Sequence, residues 1–304
     1  MLFQEFADYI ERNILSGWME EAEASVETVH KNNAAVYKGL YIRREGDAAT
    51  PVIYLDEYYQ RYLRGESLLH ILEEIRREYD WAMVRAKNCA FNLADFSCIK
   101  DKVIYRLINY EKNRGLLKEC PFLPLHDLAV SFRWLAFQDS VGISTSLITN
   151  REMELWGITV QELLLYASEN TPRLFPERVM SMEFYMKKCS APEPVIFPGF
   201  PMYVMTNEQQ INGASVMLYE GIFRRFTRVH PSDYYILPSS IHELILVPAN
   251  EVHVPEELFD IVKNANDTVV SQDDYLSDSV YFYDYQNDCI RLFEKNMHEN
   301  EFGE

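Results

Sequence analysis

The apolar positions of this chain alternate between a helical rhythm and a strand rhythm. Leu2, Phe3, Phe6, Tyr9, Ile10, Asn13 and Ile14 follow a 3.6-residue stripe, which predicts an amphipathic helix over 1–19. Residues 34–44 then change parity, with Val36, Leu40 and Ile42 on one face of a strand, and 50–55 reads as a second short strand. A helix is expected from Leu55 to Gly65, whose glycine suits a C-cap. Ser67 would cap the next helix, with Leu68, Leu69, Leu72, Ile75 and Tyr79 on its apolar face. Residues 81–98 are read as helix, 103–109 as strand, and 110–118 as a helical turn before the break at Pro121 and Pro124.

The second half repeats this mixture. Residues 128–137 and 143–149 predict a β-hairpin turning through 138–142. Thr159 and Glu162 form a capping box for a helix that should stop before Pro172. The four prolines of 190–201 predict a loop, followed by a strand at 201–207 and a helix at 211–226. Two strands, 234–240 and 241–249, should turn at Pro238, Ser239 and Ser240. Pro255 opens a helix whose buried stripe is Leu258, Ile261, Val262, Ala265 and Val269. A hairpin of 280–285 and 289–293 closes the pattern, and the tail after 294 is polar. Hairpins with packed amphipathic helices, without regular βαβ alternation, predict an α+β fold. The expected division is an N-terminal α/β lobe, 1–120, and a C-terminal α+β lobe, 121–304.

Charge changes the picture more than composition does. The 304 residues carry a formal charge of −18, and residues 231–304, with sixteen acids and three bases, hold −13 of it. That excludes a basic nucleic-acid footprint and disfavours direct binding to DNA or to an anionic membrane. No apolar run reaches the length of a membrane helix, and the N-terminus lacks the pattern of a secretory signal. Cys89, Cys98, Cys120, Cys189 and Cys289 are odd in number and widely spaced, which suits free thiols in a reducing cytoplasm.

Familiar chemistry is mostly excluded. No two glycines lie within five residues of each other, so neither GxGxxG nor a P-loop can form, and GxSxG is absent too. Four residues after His242 stands Leu246, so the His242–Glu243 pair cannot open a two-histidine zinc helix. Asp273, Asp274 and Asp278 lack EF-hand spacing, and local capping is their ordinary explanation. What remains is a set of polar residues in apolar surroundings. The candidates for binding are Asn170, Thr171, Thr206, Asn207, Asp273, Asp274 and Asp278. Ser240, His242 and Asp278 are the candidates for nucleophilic catalysis if the fold brings them together. Turn and cap chemistry explains each of them equally well.

The stretches PVIYLDEYYQRYLRG, RLINYEKNRGLL, DLAVSFRWL, QELLLYASENTPRLFP, VMTNEQQINGASVMLYEG, ILPSSIHELILVPA and DYLSDSVYFYD resemble a bacterial domain-of-unknown-function family of anaerobic Gram-positive bacteria. ASENTP, TNEQQINGAS, PSSIHE and LSDSVY are its most specific pieces. Residues 127–270 are distantly similar to a second uncharacterised Gram-positive family. The first resemblance implies genes often carried on mobile elements, which suits an accessory or anti-defence role; it implies no catalytic residue.

The leading expectation is thus a cytoplasmic, non-enzymatic protein that binds another macromolecule through its acidic C-terminal surface. Its partner would be a protein, with a basic nucleic-acid-binding protein the best fit to the charge. No cofactor or metal is expected. The alternative is a small-molecule-binding or hydrolytic enzyme with a polar pocket around His242. A structural subunit of an assembly is the third reading.

Overall fold

The computed structural model describes residues 1–45, 50–87, 94–138, 142–188, 201–238 and 240–294. The chain divides into two compact units, Met1–Asn92 with Phe137–Gly142, and Leu93–Ala136 with Ile143–Glu304. The division lies near 92 rather than at 120, because the strand at 103–109 pairs along its whole length with the strand at 128–138.

The first unit runs α1 (Phe3–Asn13), β1 (Glu23–His30), β2 (Val36–Arg43), β3 (Val52–Tyr54), α2 (Leu55–Leu63) and α3 (Leu68–Lys87). Its three strands form one antiparallel sheet in the order β1-β2-β3. The helical stripe predicted for α1 is buried at Phe6, Ile10 and Ile14, and packs in one core with Leu40, Ile42, Ile53 and Leu55. α3 adds Ile71, Ile75 and Tyr79, spaced four residues apart on one face. Leu69, expected on that face, is instead exposed. The predicted caps hold: Gly65 closes α2 at φ +99°, and the Ser67 hydroxyl accepts the His70 N–H at 3.3 Å. The helix read over 81–98 continues to Lys87; residues 88–93 lie outside the described residues, and 96–98 form a 3-10 turn.

The second unit contains β4 (Val103–Asn109), α4 (Arg114–Leu117), β5 (Phe122–Leu125), β6 (Leu128–Gln138), β7 (Ile143–Leu147), α5 (Asn150–Trp156), α6 (Val160–Leu174), β8 (Glu177–Ser181), α7 (Met182–Lys188), β9 (Tyr203–Asn207), α8 (Ile222–Val229), β10 (Tyr234–Leu237), β11 (Leu244–Pro248), α9 (Glu257–Thr268), β12 (Tyr281–Asp284) and β13 (Cys289–Leu292). Two sheets result. One has the order β4-β6-β5, with β7 also paired to β6; the other has the order β13-β12-β10-β11-β9-β8, antiparallel throughout. With helices and strands segregated in this way, the fold is α+β.

Several expectations change in this unit. α6 does not stop before Pro172 but runs through it to Leu174, its last turn closed by the Phe175 N–H on the Thr171 carbonyl at 2.8 Å. A proline near a helix end removes only one N–H from the ladder. The helix expected over 211–226 is split into a 3-10 segment at Gly213–Leu218 and α8, because Gly221 takes φ +65° between them. The strand expected from 241 begins only at Leu244, so His242 stands in a connection rather than on a strand. On α9, Leu258 and Val262 are buried, but Ile261 and Val269 face solvent, and Asn266 takes the inward position instead. The proline-rich loop at 190–201 lies outside the described residues apart from Pro201, as do Cys89, Cys189, Ser239, the tip of the hairpin at 139–141 and the tail after 294. Among the described residues, no helix is long and apolar enough to cross a membrane.

Candidate functional site

The site is built on the outer edge of β4, which side chains close rather than another strand. The Tyr105 N–H donates to Thr171 Oγ1 at 3.1 Å, and the Leu107 N–H donates to Ser215 Oγ at 3.1 Å. Asn170 Nδ2 donates to the carbonyls of Val103 at 3.1 Å and Lys100 at 2.7 Å, and Asn109 Nδ2 reaches the Leu276 carbonyl at 3.0 Å. A bare strand edge is an open template for pairing, and here α6 and the 3-10 segment cover it. The ASEN and NGAS motifs therefore owe part of their composition to edge closure.

The turn after β9 supplies the next wall. Asn207 is bonded in both directions to Ile211, which folds 207–211 into a tight loop. Thr206 Oγ1 donates to the His242 carbonyl at 2.6 Å. A Cβ on Gly213 would stand 2.0 Å from that hydroxyl oxygen and 2.3 Å from that carbonyl, so only glycine lets the two segments approach. The Asn212 N–H donates to His242 Nδ1 at 3.1 Å, while His242 Nε2 faces Asp274 Oδ1 at 3.0 Å. With Nδ1 accepting, Nε2 carries the proton and donates it, so this geometry is that of a neutral ring. The His242 hydrogen bond holds the Asp274 carboxyl below the ordinary carboxylate range. Ser271 Oγ also sits 2.8 Å from Asp274 Oδ2 and 2.8 Å from Asp273 Oδ1.

Between these walls lies a small, partly enclosed cavity of about 20 Å³. Its polar lining includes Arg106, Arg133, Thr145, Thr171, Asn207 and Asn212. Arg106 on β4 pairs with Ser131, and Arg133 on β6 pairs with Ile104, so the two arginines are diagonal neighbours on one face of the sheet. Arg133 is tied to Thr145, with Nε on the hydroxyl at 2.8 Å and Nη2 on the carbonyl at 3.0 Å. Among the described residues, Arg106 Nε is shut off from solvent and has no hydrogen-bond partner, and the same is true of the Tyr105 hydroxyl. Burial and the adjacent Arg133 charge push Arg106 down to about 9, against the weaker opposing pull of Asp274 and Asp273. A partly buried cation without a bonded counter-ion among the described residues carries a desolvation cost, and an anion arriving there would offset it.

The sequence-derived candidates are only partly gathered at this place. Thr171 and Asn207 line the cavity. Thr206 and Asp274 are bonded to His242, with Asp273 beside them. Asn170 is turned to the β4 edge, where its carbonyl oxygen also accepts from Arg173 at 2.8 Å. Ser240, His242 and Asp278 do not form a nucleophile–base–acid chain. The Ser240 hydroxyl donates to Glu243 at 3.0 Å and accepts the His242 backbone N–H, while Asp278 accepts from Asn266 Nδ2 at 2.9 Å. Sequence reasoning missed Arg106, Arg133, Tyr105, Thr145, Asn212 and Tyr219. A signal was present for two of them: VIYRLIN and LAVSFRWLAF are apolar strands that each carry one central arginine.

Two other places in the structure bring polar groups together. A larger open groove of about 550 Å³ lies along β8, β9 and α8, but its polar groups satisfy one another, Tyr203 with His230 at 3.0 Å and Arg225 with Glu177 at 2.8 Å. In the first unit, Glu66, His70 and Glu74 are close enough to hold a metal ion. The Arg61 guanidinium already occupies that position, bonded to Glu66 at 2.6 Å and Glu74 at 2.7 Å. That cluster is an ion-pair network.

Fold and site together define an α+β protein whose second unit holds a polar cavity between strand arginines and an asparagine-rich turn. The chain belongs to the family of unknown function DUF5688, whose family model matches residues 3–285. No curated protein and no solved structure matches it.

Proposed function

We propose that this chain is a binding protein whose second unit takes a small anionic group into the Arg106–Arg133 cavity. The observation that carries the reading is the partly buried Arg106 side chain, set on one face with a second arginine and with its Nε shut off from solvent and unbonded among the described residues. Function often occupies places where a fold tolerates a cost it could have avoided. Binding accounts for the site better than hydrolysis does. Both ring nitrogens of His242 are engaged, and the Ser240 hydroxyl is bonded away from the ring.

The acidic-surface reading has less support. Asp233, Glu243, Asp273, Asp274, Asp278, Asp284 and Asp288 all accept hydrogen bonds from nearby groups, which is the work of turns and caps.

Arg106→Met tests the proposal on the full chain. Without added anion the variant should melt at or above the wild-type temperature, because a partly buried charge with an unbonded Nε is gone. Titration with small anions should raise the wild-type midpoint and leave the variant unmoved. A variant clearly less stable than wild type, with an unchanged response to anions, would mean that Arg106 is a structural residue.

A further inference from the structure

We propose that the open groove along β8 and α8 binds an extended acidic peptide segment of another protein, which joins the six-stranded sheet as a further antiparallel strand. The place is separate from the Arg106 cavity, and nothing in the proposal depends on that cavity. The main chain supplies the first argument. β8 ends the strand order of its sheet, with β9 on its inner side. The Met182 N–H donates to the Met202 carbonyl at 2.9 Å, and the Glu208 N–H donates to the Pro176 carbonyl at 2.9 Å. In the register Glu177↔Asn207 to Ser181↔Tyr203, the main chain of Arg178 and Met180 therefore faces β9 as well. The N–H groups of Glu177, Val179 and Ser181 point the other way, and among the described residues nothing pairs with them. Pro176 does not blunt this edge, since it faces β9. Thr171 and Ser215 close the edge of β4, whereas that of β8 stays open to an added strand.

The side chains supply the second argument. Glu177, Val179 and Ser181 share one face of β8, and they line the groove of about 550 Å³ together with Ile222, Phe226 and Val229 of α8. Residues of an antiparallel strand directly opposite these three would carry their side chains on the same face. Apolar side chains at alternate positions would thus enter the groove, where Val229 is 73% exposed.

Charge selects the occupant. In a chain of formal charge −18, β8, α7 and α8 carry six bases and two acids. Lys187, Arg224 and Arg225 meet the carboxylates of Glu183, Asp288 and Glu177. Arg178, Lys188 and Arg228 have no carboxylate partner among the described residues. Arg178 lies on the face of β8 away from the groove, so an acid beside a groove-facing residue would stand across from it. A second copy of this chain would set one basic edge against another, which disfavours self-pairing.

The probe is a fluorescein-labelled peptide of alternating valine and glutamate, titrated with the full chain and read by fluorescence anisotropy; a valine–lysine peptide is the control. The glutamate peptide should bind, less tightly as salt rises, and the lysine peptide should not. Only alternate amides of an added strand face β8, and in the antiparallel arrangement these are the valine amides. N-methylated valines should abolish binding, while N-methylated glutamates should leave it within about threefold. Val229→Lys should weaken binding about tenfold at an unchanged melting temperature, although it adds a positive charge; simple attraction to a basic surface would strengthen it. Arg178→Glu should weaken binding about three- to tenfold. No binding of the glutamate peptide, or binding that survives both valine N-methylation and Val229→Lys, would overturn the proposal. Equal binding of the lysine peptide would overturn the acidic partner. The Val179 N–H faces outward, so Val179→Pro leaves the pairing with β9 in place. A chain that sediments as a dimer, and as a monomer after Val179→Pro, would make a second copy the occupant and overturn the proposal too.

Discussion

Gly213→Ala is the sharpest probe of how the site is assembled. The backbone of Gly213 is not in the left-handed region, so the cost of the substitution is steric rather than conformational. The added Cβ would meet Thr206 Oγ1 at 2.0 Å, the His242 carbonyl oxygen at 2.3 Å and the Asn207 nitrogen at 2.9 Å. Ordinary contact begins at 3.4 Å, so the first two atoms must retreat by 1.4 Å and 1.1 Å, the differences from that limit. Those atoms are bonded to each other at 2.6 Å, and one of them is backbone. Overpacking costs about 1–3 kcal/mol. Losing the enclosed hydrogen bond adds about 1–3 kcal/mol. The reduced freedom of the unfolded chain returns about 0.4–1 kcal/mol. The net loss is about 2–5 kcal/mol, or roughly 5–15 °C in melting temperature for a unit of this size. Gly115→Ala is the control, since no atom lies within 4 Å of its Cβ position. Thr206→Ala in the Gly213→Ala background should cost less than the sum of the two, because it clears one of the clashing atoms. A Gly213→Ala protein melting within about 2 °C of wild type would refute the close packing of 206, 213 and 242.

Two further outcomes follow from the same unit and from the tyrosines. Asp127 accepts from the hydroxyls of Ser277, Ser279 and Tyr281, two of them fully buried, so Asp127→Ala should cost about 2–5 kcal/mol in urea unfolding; a loss under about 0.5 kcal/mol would mean that the network contributes nothing. Burial, the largest cause in each case, raises the phenol pKa of Tyr58, Tyr105, Tyr219, Tyr234, Tyr235, Tyr275, Tyr281 and Tyr283, with Tyr234 and Tyr283 pushed up to about 12. The unfolded chain gives up these protons near pH 10 while the folded chain keeps them, so their stabilisation is whole below about pH 10 and is lost as pH rises through the folded values. The urea midpoint should therefore fall between about pH 8 and about pH 11, with tyrosinate absorbance appearing in step with unfolding; an unchanged midpoint would contradict the burial of these phenols.

Periodicity made most of the fold legible, and it failed where a residue's partner lies far away in sequence. The stripe of α1, the caps of α2 and α3, the Thr159 box and the closing hairpin are local features, and they appear where the pattern puts them. β1 was not expected, because EASVETVH carries two glutamates and reads as polar; it forms by pairing residue for residue with β2, a contact no local window contains. Ile261 and Val269 continue the apolar rhythm of α9, yet Asn266 is the residue turned inward, because Ser277 and Asp278 offer its amide two acceptors.

The candidate site divides along the same line. Thr171, Asn207 and Asp274 were visible as polar residues out of keeping with apolar surroundings. Turn chemistry explained each of them, and for Asn207 that explanation is part of the truth. Arg106 and Arg133 lie on the two strands that looked most like plain core, and an apolar strand with one arginine reads as a strand with one exposed position. Only the pairing of β4 with β6 sets the two guanidiniums on one face. Only the closure of the β4 edge by Thr171 and Ser215 encloses the place they share. Both elements serve the fold first. The same edge closure that protects a strand from pairing with another chain also leaves Arg106 without a bonded counter-ion among the described residues. That is why a neutral or stabilising Arg106→Met and a destabilising Gly213→Ala are expected from residues of one neighbourhood: one removes a charge the cavity wall carries, the other removes what builds the wall.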